Sequence, residues 1–431
     1  MADTGSLPPG LTARLVAAQR LQEVLGGARF VPLGQAEIAE PRDRALANRL
    51  VTMALRRHGQ LNLALAQLLE RGLPARSGSF EAVLRLALTQ LLYLPEIGDH
   101  SALFLAVEAV KRDRRAGHLA KLMNGVLRNA QRTADSLRQL PMAALFPEAL
   151  RQNWATAYGA EAVDGFGEAL LAGAPLDLTA KADDAALLAE LGGTKLLDDV
   201  IRLEQRDRPI DRLQGYAEGD WWVQDVAASL PARLLQLAPG ARVLDLCAAP
   251  GGKTAQLIKV GYEVTALDSD RKRLDRLEAN LNRLGYGAEV LCADALTFRP
   301  VSPFDGVLLD APCSATGTFR RHPEVVWHRL EADIAGRVAV QRRFLTAAVE
   351  ALAPGGTLIY CVCSLEPQEG EEQAAWVLAN LPELSLAKIA PTELGPLSAA
   401  VTADGFMRTH PGMAPFSGGM DGFFAARFRR D

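Results

Sequence analysis

No stretch of this 431-residue chain approaches the roughly 18 consecutive apolar residues of a membrane span, so no membrane partner is expected. The opening ten residues lack the charged-then-apolar layout of a secretion signal. Cysteine is scarce and one-sided: Cys247, Cys292, Cys313, Cys361 and Cys363, with none in the first 246 residues. An odd number confined to one stretch is no disulfide framework, and a reducing, cytoplasmic setting is the expectation. Internal repeats and low-complexity tracts are also missing. What remains is 49% hydrophobic composition over a length sufficient for two or three folded domains.

Net charge is −4, but its distribution is uneven. Residues 1–140 hold 19 Lys and Arg against 12 Asp and Glu, a net of +7, and the rest carries −11. A basic domain on an acidic chain favours a phosphate-backbone partner, although a helical domain with solvated arginines explains the charge equally well. Residues 11–135 carry no strand signal. Apolar residues recur at helical spacing in Leu46, Leu50, Met53 and Leu55, and again in Val83, Leu84, Leu86, Leu88, Leu91 and Leu92. Breaks are expected at Gly26-Gly27, across 72–79 and across 95–99, with Asp99 or Ser101 capping the helix that follows. Asn124, Arg128 and Arg132 fall on one helix face, as surface residues or as RNA contacts. Pro141 and Pro147 mark a linker, and residues 182–191 an Ala/Leu-rich helix in a small mixed module.

From Trp221 the rhythm becomes strand, turn, helix, with strands expected at 242–246, 263–267, 289–292, 306–309 and 357–362. Helices are expected at 271–284 and 335–352. This alternation predicts a doubly wound parallel sheet, with Phe423-Phe424-Ala425-Ala426-Arg427-Phe428 as an antiparallel edge strand. After the first strand comes Cys247-Ala248-Ala249-Pro250-Gly251-Gly252-Lys253-Thr254. A P-loop requires glycine where Cys247 stands, and a dinucleotide fingerprint requires separated glycines, so both fail. Adjacent glycines past a strand still let a ligand approach the backbone closely. Asp268, ending the second strand, suits two ribose hydroxyls, and Asp294, after the third, suits the amine of adenine. With no second diphosphate site visible, the pattern favours S-adenosylmethionine.

Cys313 follows Asp310-Ala311-Pro312, and Cys363 precedes Ser364. A lone cysteine in an apolar strand is usually a small buried hydrophobe. Two of them in turns at the carboxyl edge of a parallel sheet suggest covalent chemistry instead. Carbon 5 of cytosine is too weak a nucleophile to take a methyl group unaided. A thiolate adding to carbon 6 makes the ring an enamine and divides one hard step into two easier ones. The spacing does not say which thiol attacks; in DNA cytosine methyltransferases a Pro-Cys pair does, which would nominate Cys313. Cys361-x-Cys363 with His322 or His328 matches no common zinc spacing, so no metal is expected.

The segments Asp310-Ala311-Pro312-Cys313-Ser314 and Val362-Cys363-Ser364 resemble those of the RNA cytosine-5 methyltransferases of the Nol/Nop/Sun group. That resemblance implies that Cys363 attacks carbon 6, that Cys313 assists breakdown of the adduct, and that Asp310 holds the amino edge of a flipped cytosine. It implies cofactor contacts from Cys247 through Lys253 and from Asp268, Asp294 and Asp310, with Lys253 also in the catalytic group. Trp221-Trp222-Val223-Gln224-Asp225 and Asp421-Gly422-Phe423-Phe424 are similar to further elements of the group, while Cys361 and Val362 replace its usual Ser and Thr. Asp43-Arg44-Ala45-Leu46-Ala47, the run 86–94, Val107-Glu108-Ala109-Val110-Lys111 and Asn124-Gly125-Val126-Leu127-Arg128-Asn129 resemble a NusB-like RNA-binding fold.

The implied architecture is a multi-domain chain. An all-α NusB-like domain spans 1–140, a small α/β module 141–220, and a Rossmann-like class I methyltransferase domain 221–431. This is the arrangement of the Fmu/Sun type, whose target is cytosine 967 of 16S ribosomal RNA. The implied substrate is that RNA, naked or in a partly assembled small subunit. Alternatives are a tRNA or another rRNA cytosine, or a catalytically dead assembly or antitermination factor; intact Cys313, Cys363 and Asp310 speak against the last.

Overall fold

Apolar side chains at helical spacing build the first unit around one central helix. In the computed structural model, which describes residues 7–183, 185–203, 209–328, 331–413 and 415–431, that helix is Phe80–Tyr93. Phe80, Leu84, Leu88 and Leu91 are completely buried in it. Helices Leu11–Leu25, Pro41–Arg56, Asp99–Arg112 and Ala120–Arg132 contribute to the same core. The expected breaks coincide with the connections between these helices. Neither Asp99 nor Ser101 caps its helix. Gly98 occupies the cap without a side-chain bond, and the Ser101 hydroxyl, already inside the first turn, donates back to the Gly98 carbonyl at 2.8 Å. Pro141 and Pro147 do not mark extended linker: they immediately precede the helical segments Met142–Leu145 and Glu148–Tyr158, positions where a missing N–H costs nothing. The segment His322–His328 also belongs to this unit.

The second unit contains both sheets. The smaller one joins β1 (Leu176–Ala180), β2 (Thr194–Leu197), β3 (Val200–Leu203) and β4 (Trp221–Val223) in the order β2-β3-β1-β4. Trp221-Trp222-Val223 thus pairs with β1 rather than leading directly into the larger sheet. The helix expected at 182–191 is observed at Ala185–Leu191.

The larger sheet contains β5 (Arg242–Leu246), β6 (Glu263–Asp268), β7 (Glu289–Cys292), β8 (Phe304–Asp310), β9 (Leu352–Val362), β10 (Leu384–Leu386), β11 (Met407–Thr409) and β12 (Phe423–Arg430). Its order is β10-β12-β9-β8-β5-β6-β7, with β11 also on β12. Strands β5 to β9 are parallel, as the alternation with helices predicts. β12 is antiparallel but is not an edge: β9 lies on one side of it and the short β10 and β11 on the other. Pairing on both sides satisfies the backbone N–H and C=O groups that an edge strand would leave open, and Phe424 and Phe428 on β12 are fully buried.

Candidate active site

Parallel register brings the ends of five strands to one edge. Leu246 is level with Leu309 and Leu267, Asp268 with Cys292, and Asp310 with Cys361. The chain leaves β5 through Cys247 and turns at Gly251 into the helix Gly252–Lys259. Gly251 has φ 99°, and a Cβ there would lie 2.8 Å from the Leu277 side chain, so only glycine fits.

At the centre, Lys253 Nζ donates to Asp310 Oδ2 at 2.8 Å and lies 4.9 Å over the Phe423 ring. Burial opposes the Lys253 charge, but Asp310 more than compensates and holds its pKa above the ordinary value. Cys361, fully buried, points its thiol at Asp310 Oδ1 at 3.7 Å, and burial followed by the Asp310 charge pushes its pKa well up. Cys313 and Cys363 meet with their sulfurs 3.5 Å apart, both as free thiols. A disulfide would need about 2.05 Å. The hydrogen bond with Cys363, together with burial, raises the Cys313 pKa well above that of an ordinary thiol.

A cavity of about 430 Å³ opens beside this cluster. Ala248, Pro250, Gly252, Lys253 and Asp310 line it, so it unites most of the expected loop with the expected catalytic carboxylate. Asp268 and Asp294 do not line it. Asp268 lies almost buried beneath the loop, accepting from the Ala249 and Asp270 amides at 3.2 and 3.0 Å and pairing with Arg273 at 3.2 Å. Asp294 is exposed and accepts from the Leu296 amide at 2.9 Å, a local turn cap.

Sequence reasoning missed Asp245. This carboxyl, 1% exposed, lines the cavity; one oxygen accepts from Thr254 at 2.6 Å and the other, Oδ1, has no partner among the described residues. Burial, reinforced by the Asp310 charge, pushes its pKa up to about 7 despite the Thr254 bond. An acid in the middle of Val243-Leu244-Asp245-Leu246 was the available signal. Also missed was the polar cluster beneath the thiols formed by Ser314, Ser364, Gln341 and Glu369.

Two elements that resemble the family motifs act as buttresses. The Gln224 amide oxygen accepts from Thr179 and Trp222, and its nitrogen donates to Gln256. Asp225 and Asp421 share the buried guanidinium of Arg320, linking the strand before β5 to the start of β12. Gly422 crosses Gly317 so closely that a Cβ on Gly317 would lie 2.0 Å from the Gly422 carbonyl oxygen, which fixes the turn after Cys313 against β12.

Residues 232–429 match the family described as 16S rRNA methyltransferase RsmB/F, and residues 11–132 match the NusB family. The ribosomal RNA small subunit methyltransferase B of Xanthomonas campestris is 38% identical over 84% of this chain and 87% of its own. That of Pseudomonas putida is 35% identical over 97% and 98%. Among solved structures, PH0851 superposes with a TM-score of 0.75 at 21% identity, covering 99% of this chain and all of that one. NSun6 from Pyrococcus horikoshii with SFG superposes with a TM-score of 0.56 at 19% identity, covering 66% and 98%. These two likenesses establish the fold. With sequence relatives of this identity spanning nearly its whole length, the chain belongs to the RsmB/F family of 16S rRNA methyltransferases.

Proposed function

We propose that this protein transfers a methyl group from S-adenosylmethionine to carbon 5 of a cytosine in 16S ribosomal RNA, position 967 by family resemblance, through a Cys363 adduct. The observation that carries the reading is the pair of sulfurs 3.5 Å apart next to the Lys253–Asp310 pair at 2.8 Å. Cys363 forms a bond to carbon 6, and carbon 5 takes the methyl group. The carbon 5 proton then passes to water, the electrons of that bond restore the carbon 5–carbon 6 double bond, and Cys363 leaves as the thiolate, with Cys313 assisting. The raised Cys313 pKa supports this division, since a thiol kept protonated at neutral pH is the poorer nucleophile. Asp310, the more exposed partner of Lys253, accepts from the cytosine amino group, and Lys253 keeps that carboxylate oriented. The base must leave its stack to reach the thiol.

The cofactor supplies an electrophilic methyl group. The residues present suit it: the orphaned Asp245 oxygen in the cavity is a place for its ammonium, and the loop from Cys247 to Gly252 offers close backbone approach. Asp268 retains lone pairs for ribose hydroxyls, and Asp294 stands one strand further along for the adenine amine. Residues 1–140 form the RNA-binding domain, 141–220 a supporting module and 221–431 the methyltransferase domain. Arg114, Arg115, Lys121, Arg128 and Arg132, all exposed, support RNA contact by the helical unit. Bisulfite sequencing of ribosomal RNA from a deletion strain tests the reading. Loss of one 16S signal, restored by the wild-type gene, is expected; an unchanged 16S profile with a lost tRNA signal would refute the rRNA assignment.

A further inference from the structure

Beneath the two thiols lies a carboxylate that neither the chemistry nor the cofactor uses. Glu369 follows β9 in a short turn, Pro367–Glu369, and is completely buried. Burying a carboxylate is costly unless its lone pairs are satisfied. No ion pair reaches Glu369 among the described residues; four hydrogen-bond donors converge on it instead. The Ser314 amide donates to Oε1 at 2.9 Å, and the Gln341 side chain to the same oxygen at 2.9 Å. The hydroxyls of Ser314 and Ser364 both donate to Oε2, at 2.5 and 2.6 Å. Gln341 in addition holds the Pro312 carbonyl at 3.0 Å, and the Tyr360 hydroxyl donates to the Glu369 carbonyl at 2.6 Å.

Ser314 directly follows Cys313, and Ser364 directly follows Cys363. The two turns are 50 residues apart in the chain, yet a single carboxylate grips the residue after each cysteine. We propose that Glu369 is the positioning residue of the thiol pair, fixing the Cys313–Cys363 separation by holding Ser314 and Ser364 on one carboxylate. It touches no reacting atom. Its consequence is pre-organisation: one thiol stays at carbon 6 while the other stays within reach of the adduct. Only the meaning of the thiol pair rests on the cytosine-5 reading; the pair's geometry does not.

The test separates the two. Phenylarsine oxide condenses with two thiols held close together, forming two As–S bonds and releasing water, and needs neither RNA nor cofactor. The full-length protein should capture it, and Cys313→Ser should not. Glu369→Gln keeps the volume but turns one acceptor into a donor that opposes its neighbours. Its expected result is at least tenfold weaker capture and a comparable fall in kcat, with the affinity for S-adenosylmethionine within twofold of wild type. Unchanged capture in a folded Glu369→Gln protein overturns the proposal, as does a parallel loss of cofactor affinity and melting temperature, which would mark a general structural role. If Glu369→Gln does not fold, Ser314→Ala and Ser364→Ala decide: weaker capture by both supports the clamp, and wild-type capture by both removes it.

Discussion

Lys253 keeps its ammonium 2.8 Å from the Asp310 carboxylate, with the lysine side chain 9% exposed and the aspartate 32%. The asymmetry assigns roles. The lysine, sheltered behind the Phe423 ring, is the fixed member, and the carboxylate is the one a ligand can meet. Because its partner lifts the Lys253 pKa above the ordinary value, the ammonium remains charged throughout the neutral range. A pH dependence of activity near neutrality therefore has to originate elsewhere in the site.

Asp245 is one such origin, and it costs stability. Its folded pKa, about 7, lies above the ordinary aspartate value of 3.8. A carboxyl shifted upward binds its proton more tightly in the folded state. The resulting penalty is absent below about pH 4, grows as the pH rises to 7, and is constant above that. A shift of that size is worth a few kcal/mol. Asp245→Asn should therefore be more stable than wild type at pH 8 and little different at pH 4 in denaturant titrations. The same variant should bind S-adenosylmethionine more weakly, since the orphaned oxygen is lost. A stability difference that does not change with pH would contradict the assignment.

Asp268 should act on cofactor affinity through both its free lone pairs and the loop above it. Removing its carboxylate deletes the acceptor of the Ala249 amide and the partner of Arg273. Hydrogen bonds to a charged group are worth about 1.5–3 kcal/mol each. Asp268→Ala should weaken S-adenosylmethionine binding by at least tenfold in calorimetry, and equal affinity would place the ribose elsewhere.

On the helical unit, Arg128 and Arg132 are exposed and weakly held, each by an asparagine at 3.4 Å. If they contact phosphates, the Arg128→Ala/Arg132→Ala protein should bind 16S RNA more weakly, with a salt slope shallower by up to about 2. Its cofactor affinity should be unchanged. An identical salt slope would make this face a bystander.

The strands and the order of their ends were legible because each is a run of apolar residues closed by a turn. β5 at 242–246, β7 at 289–292 and the helix Arg271–Leu284 fall where periodicity puts them. β12 was misplaced at an edge because the strands that cover it are only three residues long, too short to show a period. Strand β4 is not among the expected strands, because three residues are too few to show a period. Cys313 and Cys363 could be picked out, but their 3.5 Å approach depends on the β8–β9 register and on Glu369, which sits in the acidic stretch Gln368-Glu369-Gly370-Glu371 with nothing to mark it. Long-range polar convergence leaves no local pattern.

The roles of the two thiols are separable because only one of them should be needed to make the covalent bond. If Cys363 attacks and Cys313 aids elimination, Cys313→Ala should form and methylate the adduct but fail to collapse it. A slow-migrating protein–RNA band should then accumulate on a denaturing gel with substrate RNA and S-adenosylmethionine. Cys363→Ala should give no band and no methyl transfer while binding the cofactor nearly as wild type, because Cys363 is not among the residues that line the cavity beside the loop. The double variant should behave as Cys363→Ala does. Adduct from Cys363→Ala alone would make Cys313 the nucleophile, and the short distance between the sulfurs gives that outcome no geometric obstacle. What favours Cys363 as the attacking sulfur is that the hydrogen bond with Cys363 and burial push the Cys313 pKa up, and a thiol harder to deprotonate is the poorer nucleophile.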